Sequence, residues 1–472
     1  MKKRLESDSI GTLEVPEKAY YGVQTLRASK NFNITQNHMN KNLIISLAQI
    51  KKAAAITNRD DDKLEVEKAK VIIKACDDII EGKLDDEFIV DAIQGGAGTS
   101  ANMNANEVIA NRAIELIYGK KGDYSKIHPN DHVNMSQSTN DVFPTAGKLA
   151  VLKLTSSLIT ELERLHSSLI AKSVQFDSVL KMGRTQLQDA VPMKLGQAFS
   201  SYAAVIKRDI ARVKKASDEM HTVNLGGTAI GTSINVSSYY LKNIIKNLEA
   251  VTGEKIEMAD DLIDATQNLD GFVSVSSSLK SCAIDLSKMA NDLRLLSSGP
   301  KTGIAEITLP AKQNGSSIMP GKINPVIAEV VSQIAFNVIG NDLTVTMAAE
   351  SGQLELNAFE PVLFYKIFES IETLTSGVKT FVDNCITGIE ANEERCAELL
   401  NSSVGITTAL CPYLGYKESA IIAKKSLKTG VPILEIVVSE GLLSKEKAEK
   451  VLNPLSMTSA NFEEEPLSTC AV

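Results

Sequence analysis

The chain has 472 residues, of which 43% are apolar and 23% are charged, and its formal net charge at pH 7 is -8. This acidic balance argues against a nucleic-acid-binding surface, and no continuous apolar run approaches the roughly 20 residues that span a bilayer. The length exceeds what one hydrophobic core usually organises, so two or three domains are expected.

The first residues are basic, but no apolar stretch follows them, so we expect no secretory signal and a cytoplasmic protein. Six cysteines are scattered without a Cys-x-x-Cys pair. We predict that they are buried thiols and form neither disulfides nor a zinc site. These cysteines are Cys76, Cys282, Cys385, Cys396, Cys411 and Cys470.

Residues 1–140 are predicted to form a mixed, mostly helical N-terminal domain, with helices over Ile44–Ala55 and Val66–Ile80. A polar segment, Gln94–Glu107, interrupts the helical pattern. Its three closely spaced glycines would let backbone N–H groups approach an anion, and its hydroxyl and amide side chains add neutral donors. An ordinary flexible loop is the alternative interpretation.

A second polar segment follows at His128–Asp141. Its consecutive Ser138, Thr139 and Asn140 supply uncharged donors at high density, which suits the binding of a carboxylate. His128 and His132 have the i, i+4 spacing of metal ligands on a helix. Because Pro129 disfavours a regular helix between them, we predict no metal site here.

A central domain of long helices is predicted over residues 141–392. Apolar side chains spaced three and four residues apart form narrow seams, the pattern of helices that pack in a bundle. The seams are Leu158-Leu162-Leu165-Leu169, Phe199-Tyr202-Ile206-Ile210-Val213 and Cys282-Leu286-Met289-Leu293-Leu296. A fourth helix, Val326–Ala349, is apolar nearly all round, so we expect it to be covered inside the bundle or by another subunit.

Two further polar segments lie within this central domain. Gly183–Ala190 is expected at the end of the first long helix. Gly315–Pro325 combines a Gly-Ser-Ser turn, two prolines, a lysine and an asparagine immediately before the apolar helix. Glycines for mobility and prolines for shape are typical of a lid that closes over a substrate.

A small helical C-terminal domain is predicted over residues 393–472. Glycines separate three short helices, Lys417–Leu427, Pro432–Glu440 and Lys445–Leu452, and Ser444 is the expected N-cap of the last one. We find no internal repeat and no Gly-x-Gly-x-x-Gly fingerprint after a strand. Redox and nucleotide chemistry therefore have no support.

The segment Gly315-Ser-Ser-Ile-Met-Pro-Gly-Lys-Ile-Asn-Pro325 matches the GSSxMPxKxN signature of the fumarase/aspartase superfamily. The other three polar segments resemble the family's characteristic regions in the same order, over nearly the whole chain. The resemblance implies a mainly α, three-domain fold whose central helices form a twenty-helix core in a homotetramer. It also implies active sites assembled from three subunits, and elimination reactions that leave a fumaryl product.

Within this superfamily the chain resembles the aspartases more than the fumarases. The first polar segment contains Gly-Gly-Ala-Gly-Thr-Ser-Ala-Asn-Met-Asn-Ala-Asn-Glu107, and the second contains Ser-Gln-Ser-Thr-Asn-Asp141. The implied reaction is the reversible removal of ammonia from L-aspartate to give fumarate, by anti-elimination through an aci-carboxylate intermediate, without an organic cofactor. A divalent metal activates some aspartases, but no ligand cluster is apparent in this sequence.

The resemblance implies a role for each residue of the site. Ser316 would be the catalytic base, although a Gly-Ser-Ser turn can also be purely structural. The β-carboxylate ligands implied by the resemblance are Thr99, Ser138, Thr139 and Ser317, and the α-carboxylate ligands are Lys322 and Asn324. Asn140, Thr99 and Gln186 would lie next to the departing amine, and Thr185 would be a further substrate-binding residue.

One position departs from many relatives. Gln186 stands where they have a histidine, which in fumarases pairs with the glutamate equivalent to Glu329. Glutamine cannot transfer protons at neutral pH, so water activation would be compromised. The departure favours an ammonia-lyase over the first alternative, a class II fumarate hydratase. A catalytically silent family member is the second alternative, and neither nucleic acid nor membrane is an expected partner.

Overall fold

The computed structural model describes residues 2–459, and within this range the protein is mainly α-helical. The helices are α1 Val23–Asn31, α2 Lys41–Asp60, α3 Val66–Ile80, α4 Thr99–Leu116, α5 Thr139–Gln175, α6 Leu195–Asp218, α7 Ser238–Thr252, α8 Asp264–Gln267, α9 Asp270–Leu296, α10 Val326–Glu350, α11 Glu360–Asn384, α12 Glu393–Ser402, α13 Cys411–Thr429, α14 Ile433–Ser439 and α15 Lys445–Val451.

Short strands form two-stranded sheets at four places. The strands are β1 Lys3–Asp8, β2 Gly11–Pro16, β3 Leu180–Thr185, β4 Gln188–Lys194, β5 Thr222–Val223, β6 Glu257–Met258, β7 Ile307–Thr308 and β8 Glu390–Ala391. The pairs β1–β2, β3–β4 and β7–β8 are antiparallel, and β5–β6 is parallel. The β3–β4 hairpin was not expected from the sequence, because its segment contains too few alternating apolar residues to resemble a strand.

The chain divides into two compact units. Within the described residues, unit 1 comprises 2–161, 209–284 and 334–376, and unit 2 comprises 162–208, 285–333 and 377–459. The divisions fall inside α5, α6, α9, α10 and α11, so five long helices each contribute residues to both units. The three-domain division drawn from the sequence stays a prediction.

The long helices and their seams agree with the sequence analysis. The α5 seam residues Leu158, Leu162, Leu165 and Leu169 are all buried. In unit 1 the aromatic rings of Phe143, Phe272 and Phe364 form a core, with 5.1 Å between the Phe364 ring centroid and each of the other two. A Cβ at Gly147 would lie 2.1 Å from Phe364, so only glycine lets α5 approach this ring.

Helix α10 buries one face and exposes the other. Ala328, Val331 and Ala335 are buried, whereas Phe336, Leu343 and Met347 are 64%, 62% and 61% exposed. Such an exposed apolar row is a feature of an interaction surface.

Two helices, α5 and α10, are long and apolar enough to span a membrane by length and composition alone. We expected no such segment from the sequence. The most apolar window of α5 is 72% buried inside the protein, as in a core helix, whereas that of α10 is 39% buried. For α10, the exposed apolar row described above accounts for the difference.

Shorter features of the chain agree with the sequence in part. Helix α3 has the predicted bounds, and Ser444 caps α15 by accepting a hydrogen bond from Lys447 N at 3.3 Å. Four cysteines are buried and Cys411 is half-buried, while Cys470 lies outside the described residues. The polar segment after Gln94 is not a loop throughout, because α4 begins at Thr99 and its amides are buried.

Candidate active site

The first polar segment turns sharply into the start of α4. Gly96, Ala97 and Gly98 all have positive φ angles of 91°, 52° and 83°, and Gly98 is the residue before the helix. A Cβ on Gly98 would lie 2.3 Å from the Phe143 ring, so glycine is required by conformation and by space. Thr99 is exposed at the helix N-terminus, where the helix dipole favours an anion.

The second polar segment leads into α5 through a capping box. The Asn140 N–H donates to Ser138 Oγ at 3.2 Å, and the Ser138 N–H donates to Asp141 Oδ1 at 2.9 Å. Because the Ser138 oxygen accepts a hydrogen bond here, its hydroxyl proton remains available for a carboxylate. Ser138 therefore caps α5 through its oxygen and still has a hydroxyl proton to donate.

The first two segments meet at Thr139 in unit 1. Asn102, one turn into α4, donates from Nδ2 to Thr139 Oγ1 at 3.0 Å. Pro144 lacks an N–H that would otherwise bond to the Asn140 carbonyl within α5. That carbonyl accepts from Asn224 Nδ2 at 3.0 Å, while Asn140 Nδ2 donates to Ala229 O at 2.8 Å. The orientation of Asn140 is thus fixed by its neighbours.

Two buried ionisable groups lie beneath these donors. Burial raises the pKa of Asp141 to about 6, although N–H bonds from Ser138, Gly226 and Thr228 partly offset this effect. Burial lowers the pKa of Lys51 to about 7. We did not identify Lys51 from the sequence, although its position seven residues after Ile44 on the apolar face of a predicted helix was a usable signal.

The third polar segment forms the turn of the β3–β4 hairpin and does not follow α5 directly. Thr185 pairs with Gln188, and the two turn residues, Gln186 and Leu187, have φ angles of 52° and 62°. A two-residue turn with both angles positive normally uses asparagine or glycine, so glutamine and leucine here carry backbone strain. Thr185 and Gln186 are exposed at the tip.

The base of this hairpin is held by a buried carboxylate. Glu306 is fully buried and pairs with Arg184 at 2.8 Å and with Lys181 at 3.1 Å. Two cationic partners on one buried carboxylate offset the cost of removing its charge from water, and they tie β3 to the segment that carries Glu306. The hairpin tip is strained and exposed, whereas its base is rigidly held. Sequence reasoning missed this ion pair because its members are far apart in the chain.

The fourth polar segment has no regular secondary structure and is closed at its base. The Gly315 N–H donates to Lys322 O at 2.9 Å, and Asn324 Nδ2 donates to Gly315 O at 2.8 Å. A Cβ on Gly315 would lie 2.5 Å from Lys322 O, so this closure requires glycine. One N–H of the Asn324 amide is therefore used inside the loop, and the other remains for a ligand.

Ser316 lies at the start of this loop with two backbone donors. The N–H groups of Ile318 and Met319 donate to Ser316 Oγ at 3.2 and 2.9 Å. Hydrogen bonds donated to an oxygen favour its anionic form. The loop thus provides the local donors that a serine acting as a base needs, and no sequence pattern predicted them individually.

The predicted site residues are distributed between the two units. Thr99, Ser138, Thr139 and Asn140 belong to unit 1, whereas Thr185, Gln186, Ser316, Ser317, Lys322, Asn324 and Glu329 belong to unit 2. Ser317 and Lys322 are exposed on the loop. Glu329 lies in the first turn of α10 and is half-buried.

The rings of His128 and His132 accept hydrogen bonds from the backbone of their own segment. The residues between them form one π-helical turn, Pro129–Val133, where we expected no regular helix. His128 Nδ1 accepts from the N–H groups of Asn130 and Asp131, and His132 Nδ1 accepts from His128 N. Among residues 2–459, no three His, Cys, Asp or Glu side chains are grouped as metal ligands.

Comparisons with known proteins extend over nearly the whole chain. A family model described as Lyase matches residues 11–340, and one described as Fumarase C C-terminus matches residues 406–459. The aspartate ammonia-lyase of Bacillus subtilis (strain 168) is 51% identical over 455 residues, which cover 96% of each chain.

Two solved structures are also similar to the chain. A fumarate lyase:delta crystallin from Brucella melitensis bound to cobalt has a TM-score of 0.94 and 50% identity, covering 97% of this chain and 100% of that one. A class II fumarase from Schistosoma mansoni has a TM-score of 0.94 and 35% identity, covering 97% of this chain and 99% of that one.

Proposed function

This chain belongs to the lyase family of the aspartate ammonia-lyases and class II fumarases, and on that premise we propose that it eliminates ammonia reversibly from L-aspartate to give fumarate. The observation that carries the proposal is the 51% identity to an aspartate ammonia-lyase across 96% of the chain. The donor-rich segments support it, because they supply neutral and cationic partners for a dicarboxylate.

The reaction breaks two bonds on opposite sides of the substrate. A base takes a proton from Cβ, and the electron pair moves into the neighbouring β-carboxylate to give an aci-carboxylate dianion. That electron pair then forms the double bond as the C–N bond breaks and ammonia leaves. The dianion needs preorganised donors, as in an oxyanion hole. Thr99, Ser138, Thr139 and Ser317 are the proposed donors.

We assign the base to Ser316. The two backbone N–H groups at 3.2 and 2.9 Å from its oxygen stabilise an alkoxide, which can accept the Cβ proton. Lys322 and Asn324, on the same loop, are the proposed ligands of the α-carboxylate. Closure of this loop over aspartate would exclude water and bring base and substrate together.

Gln186 favours deamination over hydration. Its amide can hydrogen-bond to an ammonium group or a carboxylate, but it cannot relay a proton to water. Asn140 and Thr99 complete the proposed amine surroundings, and Thr185 is a further proposed substrate ligand. The alternative enzyme is a fumarate hydratase. The alternative that is not an enzyme is a catalytically silent family member.

We also propose a homotetramer with active sites shared between three subunits. The exposed apolar row on α10 supports this assembly, because Phe336, Leu343 and Met347 would be covered by another copy. Light scattering should give about four times the chain mass of 50.9 kDa. A fully active monomer would contradict the shared site.

The remaining proposals concern location and cofactors. We propose a cytoplasmic enzyme that needs no organic cofactor. Dialysis against a chelator, followed by addition of Mg²⁺, tests whether a divalent metal activates it.

The proposed function is tested by measuring ammonia release and fumarate absorbance with L-aspartate and, separately, with L-malate. Ammonia and fumarate formed in equal amounts from aspartate alone are the expected result. Fumarate formation from malate alone would indicate the hydratase, and no turnover of either substrate would indicate a silent member.

A further inference from the structure

One lysine is fully buried beneath the unit 1 side chains that are proposed to donate hydrogen bonds to the substrate carboxylate. Lys51, on α2, is 0% exposed, and its Nζ donates to Asn134 Oδ1 at 2.7 Å. This partner is a neutral amide and not a carboxylate. Burial of an ammonium group in such surroundings is unfavourable, and burial accordingly lowers the pKa of Lys51. An apolar side chain of the same length at this position would stabilise the folded core more than lysine does.

The amide that Lys51 contacts collects further donors. Asn134 Oδ1 also accepts from Asn102 Nδ2 and Asn106 Nδ2, both at 3.2 Å. On its other side, Asn134 Nδ2 donates to Gln137 O at 3.2 Å. A carbonyl oxygen that accepts from an ammonium group and two amides has its orientation fixed, and it fixes the amides in return.

Asn102 connects Asn134 to Thr139, one of the proposed substrate ligands. Its Nδ2 also donates to Thr139 Oγ1 at 3.0 Å. When the oxygen of a hydroxyl group accepts a hydrogen bond from an N–H group, the proton of that hydroxyl points in another direction. The side chain of Thr139 is therefore prepared to donate to a bound carboxylate, and this preparation depends on Asn102 and Asn134.

We propose that Lys51 is a positioning residue for the carboxylate-binding hydroxyl of Thr139, acting through Asn134 and Asn102. The inference rests on the proposed function for the identity of the substrate. Lys51 does not touch the substrate. The hydrogen bond from its Nζ to Asn134 Oδ1 holds the amide network that orients the Thr139 hydroxyl toward the β-carboxylate, where charge develops during elimination.

The test replaces Lys51 with methionine, which keeps the length and removes the ammonium group. We expect Lys51→Met to lower kcat/KM for L-aspartate by about 10- to 100-fold, as for other residues that orient a ligand. Its melting temperature should not fall, because a buried charge is removed. Lys52→Met is the matched control, since the neighbouring Lys52 pairs instead with Asp77 at 2.6 Å and should keep wild-type kinetics.

A double-mutant cycle with Thr139→Val distinguishes positioning from a general structural effect. If Lys51 acts through Thr139, Lys51→Met should cost less than about twofold once the hydroxyl is absent. Fully additive losses would overturn the proposal. Lys51→Gln provides a second variant if the methionine variant does not fold. Failure of both variants to fold would also overturn it, since Lys51 would then be required for folding.

Binding of fumarate, followed by calorimetry, separates this inference from the proposed function. Wild-type protein that binds fumarate but does not turn over aspartate would contradict the proposed function. The inference about Lys51 would then be tested by the affinity of the Lys51→Met protein for fumarate. In that case a 10-fold or larger loss of affinity, about the effect of an ordinary orienting residue, would support it. Unchanged fumarate binding and unchanged kcat/KM in Lys51→Met would overturn the inference alone. Wild-type protein without turnover or binding would overturn both.

Discussion

The proposed ligands in unit 1 and unit 2 are built in different ways. In unit 1, Thr99 and Thr139 begin long helices, and the side chains beneath them, Asp141 and Lys51, are fully buried. In unit 2, Gln186 lies on a strained, exposed hairpin turn, and Ile318 beside Ser316 is 82% exposed. The first region is preorganised, whereas the second has side chains that only another surface or the substrate would cover.

This difference suggests a division of labour. Helix N-termini and a buried amide network can bind a carboxylate without reorganisation, which is what stabilisation of developing charge requires. A base on an exposed loop can approach the substrate only when the loop closes, which excludes water at the same time. Substitutions in each region should therefore have different consequences, for turnover in the loop and for stability in the helical region.

The largest effect is expected for the loop. Ser316→Ala should reduce turnover by about 10²- to 10⁴-fold, which is the typical contribution of a positioned base. The variant should fold and form oligomers normally, because it removes one oxygen from an exposed loop. Turnover above about a tenth of wild type, far more than the loss of a base allows, would exclude Ser316, and Ser317 would be tested next. Melting temperature and fumarate binding serve as controls.

A smaller loss is expected for the carboxylate ligand on the same loop. Lys322→Ala should raise KM for L-aspartate and lower kcat/KM by about 10- to 100-fold, the range of one charge-assisted hydrogen bond. Lys312→Ala removes an exposed lysine shortly before the loop and should have no effect. Equal kinetics of the two variants would remove Lys322 from substrate binding.

In the rigid region the expected effect is on stability. Gly98→Ala should destabilise the protein by about 2–4 kcal/mol, because alanine there meets both a positive φ angle and the Phe143 ring at 2.3 Å. Gly253→Ala is the matched control, with φ +77° and no atom within 4 Å of the added Cβ. It should lose only about 1 kcal/mol from backbone strain. Urea unfolding at fixed protein concentration measures both.

A further prediction concerns the pH dependence of stability in the same rigid region. The pKa of Lys51 is about 7 when folded and about 10.5 when unfolded, so the unfolded chain binds more protons between these values. Stability should therefore rise as pH increases through this window, and Lys51→Met should lose the rise. Asp141 and Cys76 are the charged or titratable groups that act on Lys51.

The Asp141 carboxyl gives the opposite dependence at lower pH. Its pKa is raised from 3.8 to about 6 on folding, so its contribution to stability is fully present below the lower value and is lost as pH rises through the folded value. Unfolding measured from about pH 3 to about pH 10, a range that covers the Asp141 window and most of the Lys51 window, would separate the two groups in wild type and Lys51→Met. An identical rise in both proteins above pH 7 would assign it to another residue.

Helices could be predicted from the sequence where their pattern is repeated over many residues. The seam of α5 and the bounds of α3 are examples, because apolar spacing depends only on neighbours along the chain. The β3–β4 hairpin could not be predicted, since Gln186 and Leu187 are unusual turn residues held by the ion pair at Glu306. That pair joins residues more than a hundred positions apart.

The same distinction applies to the candidate site. Ser316 and Lys322 could be assigned because their segment matches a long family signature. Lys51 and Asn134 carry no motif, and their roles depend on hydrogen bonds among α2, α4 and the segment before α5. Such networks are visible only once the chain is folded.

Complementation between inactive variants tests most directly the claim that the two regions combine across subunits. Ser316→Ala and Thr139→Val proteins, each of low activity, are mixed in equal amounts, dissociated in denaturant and reassembled. If the two residues of one site come from different subunits, about a quarter of the sites in random hybrids should contain both wild-type side chains. Recovery of about 25% of wild-type kcat/KM, the fraction set by this random assembly, is the predicted result. Activity no greater than the mean of the two parents, in hybrids verified by mass spectrometry, would contradict the shared site.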